Sequence, residues 1–425
     1  MSELNKYTCP ACSGILKFSS SKQMLECDSC GATYPVEQFD ADNAAAGGQG
    51  ADEYVAKQDD WNPANEGLIV YECKTCGGEI VGDETIGSTK CPYCDNPIVI
   101  ASMFKGNLKP DLIIPFKLNK HAATEKLKNH VNKIKLAPAA FKSNNHIQEL
   151  KGVYVPFWLY DADVHARADF DATKEHKHSD NQYDYEEIEH YDVLREGDMT
   201  FRNIPADAST KMDDNLMDSI EPYNVNEAVP FSAAYLAGYM ADKYDVTAED
   251  CKPRADIRIK NTAEQMLSDQ VKNYTTKNMR SSDVKQSNNS VKYALFPVWL
   301  LNTTWNGKKY TFAMNGQTGT FVGDVPYSKG KFWGILIGVF AVLAGIMLGV
   351  SISKGGPTAG VAIVEILISL AIAALVAFGF KGATKSVHKA TQAASYVLKD
   401  TFKLTRQYDN FVRKEEKKTP RNQNK

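Results

Sequence analysis

Residues 9–30 read CPACSGILKFSSSKQMLECDSC, and residues 73–94 read CKTCGGEIVGDETIGSTKCPYC. Each stretch holds two C-x-x-C pairs separated by fourteen residues. The spacing lies close to the zinc-site template. The chemistry asks for it: Zn²⁺ takes four thiolates in a tetrahedron at ~2.3 Å, and a two-residue gap lets one tight turn aim two sulfurs at one point. The predicted ligands are Cys9, Cys12, Cys27 and Cys30 for one ion and Cys73, Cys76, Cys91 and Cys94 for a second, two zinc ions per chain. Glycine after the knuckles, as in Cys30-Gly31, Cys76-Gly77-Gly78 and Cys12-Ser13-Gly14, suits the positive φ that such turns need. Iron in a four-cysteine site is the alternative metal, and spacing favours zinc.

A disulfide framework would require an oxidising compartment. No leader is read ahead of Cys9, so reduced thiols facing a cytosol are expected. A redox motif of the thioredoxin kind needs a βαβ context, which these stretches lack. The ninth cysteine, Cys251, reads as a packed residue.

Around these stretches the chain of 425 residues divides by composition. Residues 1–39 form a first small β zinc ribbon with Tyr7, Ile15, Leu16, Phe18, Leu25 and Phe39 as its apolar set. Forty residues bury little surface, so metal must supply folding free energy, on the order of 10 kcal/mol. Residues 40–66 are polar and rich in Ala, Gly and Asp and read as a flexible linker. Residues 67–105 form a second ribbon. Residues 107–326 read as an α+β domain: strands over 111–118, 153–169, 183–201, 292–305, 308–314 and 319–322, and helices over 122–135, 211–220 and 248–274. Asn306-Gly307 and Asn315-Gly316 are hairpin signals. Ile114-Pro115-Phe116, Val155-Pro156-Phe157, Val229-Pro230-Phe231 and Phe296-Pro297-Val298 form an internal echo. It is read either as a duplicated β-unit with bulged strands or as convergent strand composition.

Net charge is -3, which excludes a basic nucleic-acid coat. Apolar residues concentrate late in the chain. Residues 332–350 carry no charge and residues 359–380 carry only Glu365. As helices they measure ~28 and ~33 Å, enough for the ~30 Å hydrocarbon core. Lys329 and Lys331 precede them, Lys381, Lys385 and Lys389 follow, and only Lys354 lies in the connecting loop. The positive-inside rule puts both ends in the cytoplasm of a two-pass protein of the bacterial cytoplasmic membrane. Gly334, Gly338, Ala341, Gly345 and Gly349 are expected to pack against Ser369, Ala373 and Ala377 within the hairpin. Glu365 is expected to snorkel to the loop or pair with Lys354, the alternative being an intramembrane polar contact or protonatable site. Residues 381–425 hold twelve Lys/Arg against four acids. They read as a basic cytoplasmic tail, part of it with a helical apolar stripe (Val397, Leu398, Phe402, Tyr408, Phe411), suited to anionic lipid.

Four thiolates leave a metal no open position, so Lewis-acid chemistry is disfavoured, and no catalytic residue and no organic cofactor is assigned. The chain reads as a non-enzyme. Residues 1–39 carry three Lys and four acids, and residues 67–105 three Lys and five acids, so the ribbons lack a basic footprint for nucleic acid. His165 and His190 would face one another if residues 153–201 were a hairpin turning near residue 177, which would allow a second metal site; a solvated hairpin end is the plainer reading.

The order of the ribbons with Cys91-Pro92-Tyr93-Cys94, then PDLIIPF (110–116), VYVPFW (153–158) and NGQTG (315–319) ahead of two apolar helices, resembles the bacterial TFIIB-type zinc ribbon-containing membrane proteins. The resemblance covers roughly residues 70–380. It implies a membrane-anchored zinc-ribbon adaptor that binds protein partners such as SPFH-type or phage-shock-type scaffolds. The alternative is a membrane-tethered nucleic-acid-binding regulator, which would have to use the basic tail.

Overall fold

A computed structural model describes residues 7, 9–39, 69–73, 79–82, 92–93, 99–101, 108–139 and 150–420. The 40–66 linker, Cys76, Cys91 and Cys94 lie outside the described residues. The chain is a mixed α/β assembly with, among the described residues, two sheets, an N-terminal cysteine cluster and two long apolar helices near the C-terminus.

The first sheet is a three-stranded meander of β1 (Leu16–Ser19), β2 (Met24–Cys27) and β3 (Thr33–Tyr34). Tyr7, Leu16, Phe18, Leu25 and Val36 form its buried face, whereas Ile15, expected inside, is 47% exposed. β4 (Ile69–Glu72), β5 (Glu79–Gly82) and β6 (Val99–Ala101) come from the second cysteine stretch. They join the large sheet through β5, whose Ile80 and Val81 pair with the later strand β11 (Met240–Asp242).

The body is built on two very long strands. After β7 (Leu112–Ile113) and helix α1 (Lys120–Lys133), capped by Asn119, the chain enters β8 (Lys151–Ser179) and returns as β9 (Tyr183–Asp207). Helix α2 (Asp214–Ser219) and strand β10 (Val229–Pro230) lead to β11. Helix α3 (Ala248–Ser268) leads to β12 (Thr276–Trp305), β13 (Lys308–Asn315) and β14 (Phe321–Val322). β8 and β12 are antiparallel neighbours over almost their whole length. Each is also flanked by the short strand that precedes the other in the chain, in parallel: β11 beside β8 and β7 beside β12. Two of the echoed segments, around Pro156 on β8 and Pro297 on β12, thus lie side by side in the sheet.

This flanking explains the prolines. A residue's N–H and C=O point to one side of a strand. Pro156 O accepts from Ala208 N at 2.9 Å, and Pro297 O from Gly316 N at 2.7 Å. Each proline nitrogen therefore faces the side away from the β8–β12 ladder. There it meets a joint: β11 ends opposite Tyr154 where β9 ends opposite Phe157, and β7 ends opposite Leu295 where β13 ends opposite Val298. The missing donor falls where the flanking strands change over, which is how proline is accommodated in an interior strand.

α3 covers one face of the long strands. Ala255, Ile259, Ala263 and Leu267 meet the alternate residues Val164, Ala166, Ala168, Phe170 and Ala172, all buried. The small alanines let the helix approach, while His165, Arg167 and Asp171 point to solvent on the opposite face, the period-2 division of a half-covered sheet.

Helices α4 (Lys329–Ser353) and α5 (Ala359–Gly382) are capped by Ser328 and Thr358. Both are long and apolar enough to cross a membrane, at 25 and 24 residues. Their large apolar side chains face outward, Val342 being 61% and Leu375 74% exposed, which distinguishes them from core helices of a soluble domain. Ser369, Ala373 and Ala377 are buried against α4 as expected. The glycine stripe is a correction: Gly334, Gly338, Gly345 and Gly349 have open space where a Cβ would sit, so they face away from α5. One small-residue face suffices, because α4 fills it with larger groups; Ser369 Oγ donates to Met347 Sδ at 3.3 Å and Phe332 packs on Phe378. Glu365 does not pair with Lys354: Ser351 Oγ donates to its Oε1 across the hairpin, and its Oε2 is buried without a partner.

The tail also departs from expectation. Residues 384–397 lie across α2, α3 and β9, and Lys403–Pro420 is strand β15, paired with β9, where a helical stripe was predicted. Charge gives the reason. β15 carries six Lys/Arg and three acids, β9 two Arg and eight acids. Their register brings Lys414 to Glu187 at 2.8 Å and Arg195 to Asp409 at 2.5 Å, so strand pairing neutralises much of the tail's charge.

Candidate metal centre and the surface beneath it

Cys9 and Cys12 flank one turn and Cys27 and Cys30 another. Ser13 N donates to Cys9 O at 2.8 Å and Gly31 N to Cys27 O at 2.9 Å. The positive φ falls on Gly31 (73°) as expected, but in the first turn on Ser13 (58°) and not on Gly14. Gly14 serves close approach: a Cβ there would lie 2.7 Å from Ser29 Oγ and 3.1 Å from Cys27 Sγ.

The four sulfurs lie within 4.8 Å of one another. Cys9 and Cys30 are 3.6 Å apart and Cys12 and Cys27 3.5 Å. A disulfide needs about 2.05 Å, whereas a tetrahedron with ~2.3 Å metal–sulfur bonds has edges of roughly 3.8 Å. The geometry is that of a four-thiolate cage, and these residues could hold one metal ion. The thiols titrate unequally. The Tyr34 hydroxyl, hydrogen-bonded to Cys9 Sγ at 3.4 Å, lowers the Cys9 thiol to about 6. At Cys12 the Gly14 backbone pulls down, but the neighbouring Cys30 and Cys27 sulfurs outweigh it and push the thiol up to about 12. Clustered sulfurs without a cation do not all ionise together, and a divalent cation removes that conflict.

Tyr34 is the functional residue that spacing does not reveal. It sits on β3 as an ordinary strand aromatic, and only pairing of β3 with β2 carries its hydroxyl to Cys9. Of the second set, Cys73 is buried at the end of β4. Asn302 Nδ2 donates to Pro92 O at 2.6 Å, tying residues 92–93 to β12.

The other candidates separate. The β8–β9 register pairs His165 with Asp198 and His190 with Thr173, so the two histidines are not opposite one another. The turn lies at residues 180–182, not 177. His165 is held by Asp198 at 2.7 Å and Glu196 at 3.0 Å, chiefly Asp198 raising its pKa, and His190 lies 3.5 Å from Glu415. Cys251 is buried, its Sγ donating to Asp207 O at 3.4 Å, and burial pushes its thiol up to about 12.

The first ribbon is seated on the body. Phe18 N donates to Ala237 O at 3.0 Å, the Phe18 and Tyr235 rings meet edge to face at 5.0 Å, and Gln23 Nε2 donates to Phe116 O at 2.8 Å. Beneath it Phe116 stacks on Tyr239 at 4.2 Å and meets Tyr154 and Trp299 at 5.0 and 5.1 Å. The PDLIIPF, VYVPFW and NGQTG segments converge here. Asn315 Oδ1 accepts from Gln317 N and Thr318 N, folding the NGQTG loop so that Gly316 O receives Lys117 N and Leu118 N.

The chain is 34% identical over 341 residues to the uncharacterized protein YdjG of Bacillus subtilis (strain 168), across 79% of this chain and 96% of that protein. It belongs to the YdjG family. No family model matches the chain, so the TFIIB-type label has no such support. No solved structure matches it.

Proposed function

We propose that this member of the YdjG family is a non-enzymatic, membrane-anchored zinc-ribbon adaptor of the TFIIB-type kind, presenting its body to protein partners at the inner leaflet. The observation that carries the reading is how the helical hairpin is inserted. The chain leaves the body at Ser328, whose N–H donates to Leu136 O at 2.9 Å, and Val325 N donates to Thr384 O at 2.9 Å where it returns. Departure and return points are adjacent, which supports a two-pass anchor with both termini on one side. Lys329, Lys331, Lys381, Lys385 and Lys389 assign that side to the cytoplasm. From this base, β8 and β9 run paired over residues 161–179 of β8, roughly 60 Å at ~3.3 Å per residue, with β12 alongside β8 as far as Thr173 and β15 alongside β9 from Asp198 onward. A long, partly charged sheet on a rigid anchor, with metal cages whose four thiolates leave no coordination position for substrate, suits the display of a binding surface. We assign zinc to both cysteine sets, two ions per chain.

Purification of tagged full-length protein from membranes in mild detergent tests the reading. A defined set of proteins should co-purify in stoichiometric amounts, and alkaline carbonate should leave the chain in the membrane. Recovery of the bait by itself, or its quantitative release by carbonate, contradicts it.

A further inference from the structure

The first ribbon touches the body through the same few residues that its metal turns hold in place. Cys9 and Cys12 precede β1, and Cys27 ends β2. β1 supplies Phe18, whose N–H and ring reach Ala237 and Tyr235, and Lys17, whose stem passes about 3.4 Å from the Cβ position of Gly238. The turn between β1 and β2 supplies Gln23, which reaches Phe116 O, and Ser20, which is hydrogen-bonded to the Tyr239 side chain. On the body side these contacts fall on residues 235–239 and on Phe116, so the ribbon lies over the stacked Phe116–Tyr239 pair.

A ribbon of some thirty residues with five buried apolar side chains does not hold its turns without metal. Its docking face is then lost with the metal. We infer that the first ribbon is a metal-dependent latch: an ion at Cys9, Cys12, Cys27 and Cys30 closes it over residues 235–239 and Phe116, and loss of the ion opens that aromatic surface. The inference rests on the reading that these cysteines hold a metal. Linkage makes it reciprocal, so weakening the docked contact also weakens the hold on the ion by the same factor.

The test is hydrogen–deuterium exchange on the full chain in detergent, before and after a strong zinc chelator. Removal of zinc should raise exchange at least tenfold in residues 9–39 and 232–239 together, with residues 157–175 of β8 unchanged. Tyr235→Ala, which leaves the ribbon's own core intact, should keep its zinc, raise exchange at Phe18, and release zinc to a competing chelator roughly tenfold faster, the scale of one lost aromatic pair and its buried area. Native mass spectrometry before chelation separates the two levels of the argument. A chain without zinc overturns both the metal reading and the latch. A chain with zinc whose 232–239 exchange ignores chelation, or whose β8 exchange rises equally, overturns the latch and leaves the metal reading standing.

Discussion

Replacing Arg258 with methionine tests how the segment after the two apolar helices is fastened to the body. The Arg258 and Glu221 side chains are 5% and 7% exposed and form a two-point pair, Nη1 to Oε1 at 3.0 Å and Nη2 to Oε2 at 2.5 Å. The same guanidinium donates to Pro205 O and Gln392 O, and Tyr396 OH donates to Glu221 Oε2 at 2.8 Å. Four elements, α3, β9, the loop after α2 and the strap after the apolar helices, thus share one buried ion pair. Methionine keeps the stem's volume and removes the charge. Glu221, whose carboxyl burial already pushes above its ordinary value, is then left with Tyr396 by itself. Breaking a buried pair from one side costs about 3–5 kcal/mol. At ~2–4 °C per kcal/mol for a body of this size, the melting temperature should fall by roughly 6–20 °C. The assay is thermal unfolding of the detergent-held protein followed by far-UV circular dichroism. Arg258→Met/Glu221→Leu, which removes both charges, should recover at least half of the loss, because the penalty is mostly the stranded carboxylate. A single variant that melts within about 2 °C of the parent, or a double variant that melts below the single one, refutes the reasoning.

Asp242 is buried, accepts from Ser209 Oγ and Lys243 N, and rises to about 7 because burial disfavours its charge. A raised carboxyl contributes stability that is complete below pH ~4 and lost as pH rises through about 7, on the order of 4 kcal/mol. Asp207, raised to about 7, and Glu221, also raised by burial, add slopes of the same sign, so Asp242→Asn should remove part, not all, of the fall in unfolding free energy between pH 4 and 7, measured by urea titration. At Gly316 a Cβ would meet the Phe116 ring at 2.7 Å, so Gly316→Ala should cost about 1–3 kcal/mol by the same titration and leave zinc content unchanged. Tyr34→Phe removes the hydroxyl on Cys9 and should speed zinc transfer to a colorimetric chelator by about tenfold without changing the amount bound.

The cysteine spacing carried the metal cage because four thiols at fixed offsets have one compact solution, and an apolar run of nineteen residues carried the helical hairpin for a similar reason. Long β12 was legible only from Lys292 onward. Residues 276–291, TKNMRSSDVKQSNNSV, are polar, and they are strand because β8 supplies a hydrogen-bonding partner at nearly every step. Local propensity does not see that partner. β15 was hidden likewise: its apolar residues suit a helix stripe, and the decisive quantity is the opposite charge of β9, more than two hundred residues earlier. The histidine pairing failed on register, since moving the turn by a few residues carries every cross-strand partner with it. The glycines of α4 show the limit of face patterns, because a stripe predicts a close approach but not which neighbour makes it.

The central claim is that the cysteines cage metal, and elemental analysis of purified full-length protein addresses it most directly. Two zinc ions per chain are predicted, falling to one in Cys9→Ser/Cys27→Ser; less than one ion in the parent, or a content indifferent to that substitution, contradicts the account.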